Sequence, residues 1–184
     1  MKTLYFILLI IFFFGSCEIK KQSSDEKKSL STKDLLNDHK IISKYSEKLQ
    51  RIFINDKGII RGVSLGDKFS DVQSKMDTTE IKIKPAEGKF KFVTSLNNYE
   101  DVDIIFFFNN DEVITEIGID PYLNTQQSVD SLSHEMTQYF IEKYGNIFKK
   151  DSNKTIGDNK NLHFVIEDVS IKTVPGLQIR ITKK

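Results

Sequence analysis

Three histidines and one cysteine are the side chains of this chain best suited to metal or nucleophilic chemistry. His39, His134 and His163 are the histidines, and no two of them stand three or four residues apart. A zinc site on a helix needs that spacing, as in the HExxH motif, which is also absent. His134 falls in a predicted helix and His163 in a predicted strand, both pointing off the core. We therefore expect no metal site and no cofactor.

Catalytic signatures of other kinds are also missing. The sequence has no G-x-S-x-G, no phosphate-binding P-loop and no G-x-G-x-x-G. Asp101, Asp103, Asp111 and Glu112 flank a predicted hairpin, where carboxylates commonly keep strand ends soluble. A binding protein is favoured over an enzyme, although a hydrolase whose site is assembled from scattered residues stays open, because catalytic triads are recognised in space.

The single cysteine, Cys17, directly follows an apolar segment. Lys2 precedes an uninterrupted apolar run, Leu4 to Phe14, and the small residues Gly15 and Ser16 come next. This is the three-part layout of a secretory signal peptide, here residues 1–16. As a helix the run would reach only about 16 Å, against roughly 30 Å for the hydrocarbon core of a bilayer. We therefore expect a cleaved signal rather than a permanent spanning helix.

The sequence Phe14-Gly15-Ser16-Cys17 resembles the lipobox of bacterial lipoprotein precursors, with Phe where Leu is usual. In that family the cysteine is lipidated and becomes the first mature residue. The resemblance implies a membrane anchor of two or three acyl chains at Cys17, and stable anchoring requires more than one. Glu18 is not a strong inner-membrane retention signal, so a cell-envelope location at the outer membrane is favoured over the inner membrane. An ordinary secretory signal with an incidental cysteine is the alternative.

Charge is nearly balanced along the chain. It has 27 lysines and arginines against 26 aspartates and glutamates, and removal of the signal would remove Lys2. A neutral balance gives no electrostatic footprint for nucleic acid and no polybasic patch for an anionic membrane. We therefore expect no nucleic-acid partner, and contact with the membrane only through the N-terminal lipid.

Composition divides the sequence after the signal into a flexible tether and a domain. Residues 18–33 are charged and serine-rich with almost no apolar content, so they cannot bury enough surface to offset the entropy of ordering. With Cys17 they form a predicted flexible tether, residues 17–33. Residues 34–184 are long enough to form a single domain.

Apolar periodicity predicts the first elements of this domain. Residues 34–52 have helical spacing of apolar side chains. Phe53 to Leu65 has the pattern of a short hairpin that turns at residues 56–58. Ser70 followed by Gln73 fits a capping box at the start of a short helix.

The remaining pattern is dominated by strands. A helix is predicted from Asn124 or Thr125 to Gly145, a natural C-cap. Five strands are predicted, at Lys89–Val93, Val102–Phe108, Val113–Ile119, Leu162–Glu167 and Leu177–Ile181. Consecutive strands favour hairpins over crossovers. The fold class is therefore α+β, with a single antiparallel sheet of about five strands and two or three helices packed on one face.

A second resemblance covers residues 62–72. Gly62-Val63-Ser64-Leu65-Gly66 followed by Asp67-Lys68-Phe69-Ser70-Asp71-Val72 resembles a motif of small bacterial envelope domains. These are the outer-membrane-assembly lipoproteins of the SmpA/OmlA type and the β-lactamase-inhibitor-protein-like domains. Such domains act by binding other proteins, which implies a binding module here.

Strand parity indicates one candidate partner patch. If the even-numbered residues of Val102 to Phe108 face the core, Ile105 and Phe107 face outward. Ile114 and Val165 fall outward by the same parity. An exposed apolar cluster of this kind marks a protein or lipid contact, unless a loop or the first helix covers it.

Several functions remain compatible with these observations. The leading one is a lipid-anchored envelope protein that binds another protein without catalysis. A toxin-blocking immunity protein is a narrower version of it. The main alternative is a small-molecule or lipid-binding module in which Ile105 and Phe107 line a pocket, and the hydrolase is a third.

Overall fold

The computed structural model describes residues 40–76, 88–145 and 147–184. Within them, a 3₁₀ turn at Ile42–Lys44 precedes three α-helices: α1 (Glu47–Phe53), α2 (Phe69–Lys75) and α3 (Gln126–Tyr144). The strands are β1 (Lys89–Ser95), β2 (Asp101–Phe108), β3 (Ile114–Tyr122), β4 (Ile147–Asp151), β5 (Lys154–Asp158), β6 (Leu162–Asp168) and β7 (Leu177–Lys183). The predicted signal peptide, Cys17, the tether and His39 lie outside the described residues.

One antiparallel sheet contains every strand, in the order β1-β2-β3-β7-β6-β5-β4. The α+β class with a single antiparallel sheet is confirmed, but the sheet has seven strands rather than about five. The two strands that sequence patterns failed to predict are β4 and β5. Their sequences, IFKKD and KTIGD, are short and lack the β-branched and aromatic alternation that marks the other strands.

All three helices belong to the layer on one face of the sheet. The ring of Phe140 in α3 lies 4.8 Å from that of Phe164 in β6. Phe69 of α2 lies 5.5 Å from Phe90 of β1, and Phe53 of α1 packs 4.5 Å from a tyrosine of α3. Backbone pairing places the strand residues in one row of this face: Phe90, Phe106, Ile117, Ile181 and Phe164. All five are fully buried, so this face is the core face.

Both ends of α3 follow the predicted capping pattern. The side chain of Thr125 accepts a hydrogen bond from the amide of Ser128, and the backbone of Gly145 is left-handed at φ 64°. A left-handed residue after a helix favours glycine, which has no Cβ to clash. None of the described helices is long and apolar enough to cross a membrane.

The predicted helix over residues 34–52 is wrong for its described part. The chain forms the 3₁₀ turn, leaves helical geometry at Tyr45, and begins α1 with Ser46 as N-cap. The Asp56 carboxylate, which lies outside the segment, accepts hydrogen bonds from the amides of Ile41 and Ile42 at 2.7 and 3.1 Å and so caps the start of the turn. The turn ends at Tyr45, whose backbone is extended, and the Ser46 side chain accepts from the amide of Leu49 to begin α1.

The predicted hairpin at Phe53–Leu65 is also wrong. The described chain makes a compact loop there, with one bridge between Ile60 and Val63. The buried guanidinium of Arg61 donates to the carbonyl of Ile52 at 2.9 Å and lies 4.5 Å from the ring centre of Phe92. A side chain that reaches into the core folds the segment back on itself, which two extended strands do not allow.

The predicted capping box is displaced by two residues. Helix α2 begins at Phe69, and the Asp71 carboxylate accepts the hydrogen bond from the amide of Lys68 at 3.3 Å. Ser70 and Gln73 therefore lie inside the helix rather than closing its first turn.

Candidate binding face of the sheet

The face of the sheet opposite the helices carries the alternate residues of every strand. Backbone pairing aligns one row of this open face across all seven strands: Lys91, Ile105, Gly118, Arg180, Val165, Ile156 and Lys149. The row ends in a lysine at each edge. Its interior is apolar side chains and a glycine around one arginine.

Arg180 stands at the centre of this row and is held by the neighbouring strand. Its Nη1 and Nη2 atoms donate to the two carboxylate oxygens of Asp120 at 2.5 and 3.1 Å. Its Nε lies 3.5 Å from the carboxylate of Glu116. A bidentate pair of this type fixes the plane of the guanidinium and places its positive charge against the carboxylate.

Gly118 provides the space in which this guanidinium lies. A Cβ atom built on Gly118 would stand 2.8 Å from Nη1 of Arg180 and 3.4 Å from Cε2 of Phe107. Arg180 therefore extends across β3 beside the Phe107 ring, and only a residue without a side chain permits that approach.

A second ion pair lies nearer the β1 edge. Nζ of Lys91 donates to the Asp103 carboxylate at 2.8 Å, and the Tyr122 hydroxyl donates to the same oxygen at 3.1 Å. The hydrogen bond that Lys91 donates to Asp103 raises the pKa of Lys91 above its ordinary value. Burial, with the charge of Asp103, raises the pKa of Tyr122. Both groups thus keep their protons around the carboxylate.

The charges of the open face are matched to one another. Lys154 pairs with Glu167 at 3.1 Å, and Nδ1 of His163 lies 3.0 Å from Asp158. That hydrogen bond from His163 lowers the pKa of Asp158. Added to the pairs of Arg180 and Lys91, these contacts leave the face close to neutral across its width.

Three of the four predicted patch residues lie on this face. Ile105, Phe107 and Val165 are half-buried there, and Nζ of Lys89 lies 5.4 Å from the Phe107 ring centre. Val165 is paired directly with Arg180, so the apolar side chains surround the guanidinium rather than forming one continuous patch.

Ile114 is not part of the patch. It is 1% exposed and belongs to the core. The reason is a β-bulge: Phe107 pairs with Glu116 but Phe108 pairs with Ile114, so one extra residue reverses the parity of β3 at that point. Ile156 takes a place on the open face that sequence reasoning missed, because its strand, β5, was not predicted.

Ile105 and Phe107 do not line the main clefts of the described residues. Four of these clefts have volumes of about 480 to 620 Å³, and neither residue lines any of the four. Within the described part of the chain, no three His, Asp or Glu side chains are grouped to hold a metal ion.

A separate polar cluster lies beneath α3. The Tyr139 hydroxyl donates to Asp56 at 3.4 Å, and Nζ of Lys143 donates to that hydroxyl at 3.0 Å. Burial lowers the pKa of Lys143 to about 8, although the charge of Asp56 opposes the shift. The cluster connects α3 to the carboxylate that holds the 3₁₀ turn, so its role is to join elements.

Comparison with known proteins gives this chain no relatives. No family model matches it, and neither a curated protein nor a solved structure matches it.

Proposed function

We propose that this chain is a lipid-anchored protein of the bacterial cell envelope that holds another protein on its open sheet face. The observation that supports this most directly is the half-buried apolar set around Arg180, whose charge is already matched by Asp120 and Glu116. The immunity-type alternative is the case in which the partner is a toxin.

The balance of charge favours a protein surface as the ligand. Nucleic acid and other polyanions bind through cations that lack internal partners. On this face Arg180 and Lys91 are engaged by carboxylates at 2.5 and 2.8 Å. Aromatic and arginine side chains framed by polar groups are the composition of protein–protein contact surfaces. The partner we infer is a protein with a neutral, largely apolar contact surface.

The anchor is the second part of the proposal. Cys17 carries the lipid, and residues 17–33 tether the domain at the outer membrane. Cells that express the full chain with labelled palmitate are expected to incorporate label into it, and Cys17→Ser to abolish the label. Retention of label by the Cys17→Ser variant would contradict the anchor.

The partner contact is tested on the open face itself. The native full chain is captured from detergent-solubilised membranes, and bound proteins are quantified against it. We expect a stoichiometric partner that Phe107→Asp loses, because a carboxylate placed beside Asp120 and Glu116 breaks both the apolar contact and the charge balance. Ile171→Asp, at a site 70% exposed and outside the row, should keep the partner.

Circular dichroism of both variants provides the control. Native spectra and similar melting temperatures are expected, since Phe107 lies on the face away from the core. Unfolding of Phe107→Asp would show that its ring is needed for stability, and a partner retained by a folded Phe107→Asp would place the contact elsewhere.

A further inference from the structure

A cleft of about 620 Å³ lies at one end of the sheet, away from the row around Arg180. It is formed by the loop before α2, the end of α3, the β5–β6 turn and the end of β7. Its volume is within the range of small-molecule sites in proteins. The lining residues are Gly58, Ile59, Ser64, Leu65, Tyr144, Asn159, Lys160, Asn161, Leu162, Lys183 and Lys184.

The charged side chains that line this cleft are all cationic. Three lysines line it and no acidic residue does. Each of the other three clefts described above is lined by at least two carboxylate side chains, from Asp or Glu. Electrostatic attraction in a partly enclosed site is focused on ligands of the opposite charge.

Two of the lysines have no internal counterion. Among the described residues, no carboxylate pairs with Lys160 or Lys183. Lys184 lies 3.7 Å from Asp158, which already accepts from His163 and does not line the cleft. On the open face, by contrast, Lys91 and Lys154 are each paired with a carboxylate.

The turn that carries Lys160 is fixed in place. The Asn159 side-chain oxygen accepts from the amides of Asn161 and Leu162, each at 2.8 Å. The amide of Lys184 donates to the carbonyl of Asn161 at 3.1 Å, which ties the end of β7 to this turn. The cationic side chains therefore project from backbone that is held from both sides.

Apolar side chains form a second part of the lining, beside the polar Ser64, Asn159 and Asn161. Ile59, Leu65, Leu162 and the Tyr144 ring supply this surface, and the Tyr144 hydroxyl is engaged by the carbonyl of Gly58 at 3.3 Å. A small inorganic anion would use the lysines and leave this surface in water. A ligand that carries both an anionic group and an apolar chain would contact the lysines and the apolar lining together.

We propose that this cleft binds a phosphate group attached to an apolar chain. The lysine ammonium groups act as point charges for the phosphate, and the apolar lining takes the chain. The source is either a soluble alkyl phosphate or a phospholipid of the membrane, since both present the same chemistry.

Calorimetric titration of the full chain with octyl phosphate and with inorganic phosphate tests the chemistry. Saturable binding of octyl phosphate is expected, at least tenfold tighter than that of inorganic phosphate. The double variant Lys160→Gln/Lys183→Gln should weaken it at least tenfold, and the matched control Lys150→Gln/Lys172→Gln, with the same charge change at exposed sites outside the cleft, less than twofold. Thermal melts check that both variants are folded.

Three results of these titrations would contradict the proposal. Absence of saturation by octyl phosphate, equal affinity for inorganic phosphate, or equal loss in the two double variants would each overturn the proposal. Phe107→Asp should bind octyl phosphate normally, because the cleft and the open face are independent proposals.

Vesicle flotation identifies the source. The predicted mature chain, residues 17–184, is used with Cys17→Ser, because it carries neither acyl chains nor the apolar run Leu4 to Phe14 that could insert into vesicles by itself. Flotation with phosphatidylglycerol but not phosphatidylcholine vesicles, lost in Lys160→Gln/Lys183→Gln, indicates a membrane phospholipid. Binding of octyl phosphate without flotation indicates a soluble ligand. Flotation that the double variant retains would overturn the cleft as the lipid site.

Discussion

At the scale of single residues, two glycines in strands each leave space for the side chain of a different neighbour. Gly118 faces the open side, beneath the Arg180 guanidinium, and Gly157 faces the core beneath the Phe148 ring. A Cβ built on Gly157 would overlap that ring. The guanidinium ends a flexible side chain and can move, whereas the ring is stacked on Phe140 at 6.5 Å and an interplanar angle of 13°.

The same substitution should therefore have opposite effects at these two positions. Gly118→Ala should leave the free energy of unfolding unchanged or raise it by up to about 1 kcal/mol, since Gly is the poorer strand residue. Gly157→Ala should lower it by about 1–3 kcal/mol through overpacking. Urea unfolding with a constant m-value measures both, and equal costs at the two sites would refute the packing argument. In a Phe148→Ala background the cost of Gly157→Ala should largely disappear.

Gly118→Ala also bears on the proposed contact. The added methyl displaces Arg180 from the position beside Phe107 while the fold is kept. Loss of a captured partner by this stable variant would assign the guanidinium to the contact surface. An unchanged amount of captured partner would leave only the apolar side chains in that role.

At the scale of elements, sequence patterns predicted those whose signals are local. Helix α3 carries its own N-cap at Thr125 and its own stop at Gly145, so its bounds needed no distant information. The strand β1 alternates strongly enough that its buried face, with Phe90 and Phe92, was predicted correctly. Tertiary packing reinforces these patterns rather than overriding them.

The elements that were missed depend on residues far away in sequence. Asp56 caps the start of the 3₁₀ turn from 15 positions along the chain, and no pattern within the predicted first helix reveals it. The strands β4 and β5 are stabilised by the neighbouring β6 and by packing such as that of Phe148 on Phe164 rather than by their own composition.

The candidate face was predictable only in part for the same reason. Parity within single strands placed Ile105, Phe107 and Val165 correctly, because alternation is a local property. The pair between Arg180 and Asp120 joins residues 60 positions apart, and only the order of the strands brings them together. The bulge that buries Ile114 is likewise a property of two paired strands, not of one sequence segment.

At the scale of the whole molecule, the buried ionisable groups around α3 determine how stability depends on pH. Burial lowers the pKa of Lys143 to about 8, from an ordinary value near 10.5. Burial also raises the pKa of Tyr45 to about 12, and that of Tyr139 and Tyr144 well above the ordinary value of 10. These groups act in different pH windows.

Lys143 determines how the free energy of unfolding changes with pH between about 8 and 10.5. Between pH 8 and 10.5 the unfolded chain keeps the proton that the folded chain has released, so the unfolded state binds more protons and stability rises with pH. The stability that comes from keeping this buried amine neutral is fully present above pH 10.5. It is lost as pH falls through 8, because the amine then becomes charged inside the folded chain. The tyrosines act the other way: above pH 10 the unfolded chain loses their protons first, so stability falls again.

Replacement of Lys143 by methionine should therefore reduce the increase in the free energy of unfolding between pH 8 and 10.5. The decrease above pH 10, which comes from the tyrosines, should remain. Methionine fills a similar volume between the Tyr139 and Tyr144 rings and carries no proton, so the free energy of unfolding should increase at pH 7.5 and approach that of the unsubstituted chain toward pH 10. Denaturant unfolding at half-unit steps from pH 7 to 11 measures this, with the exposed Lys150→Met as matched control. Because all other titrating groups are common to the two chains, the difference between their curves isolates Lys143. Parallel curves for Lys143→Met and the unsubstituted chain would mean that this amine is fully hydrated in the folded molecule, and Lys143 would then contribute nothing to the pH dependence of stability.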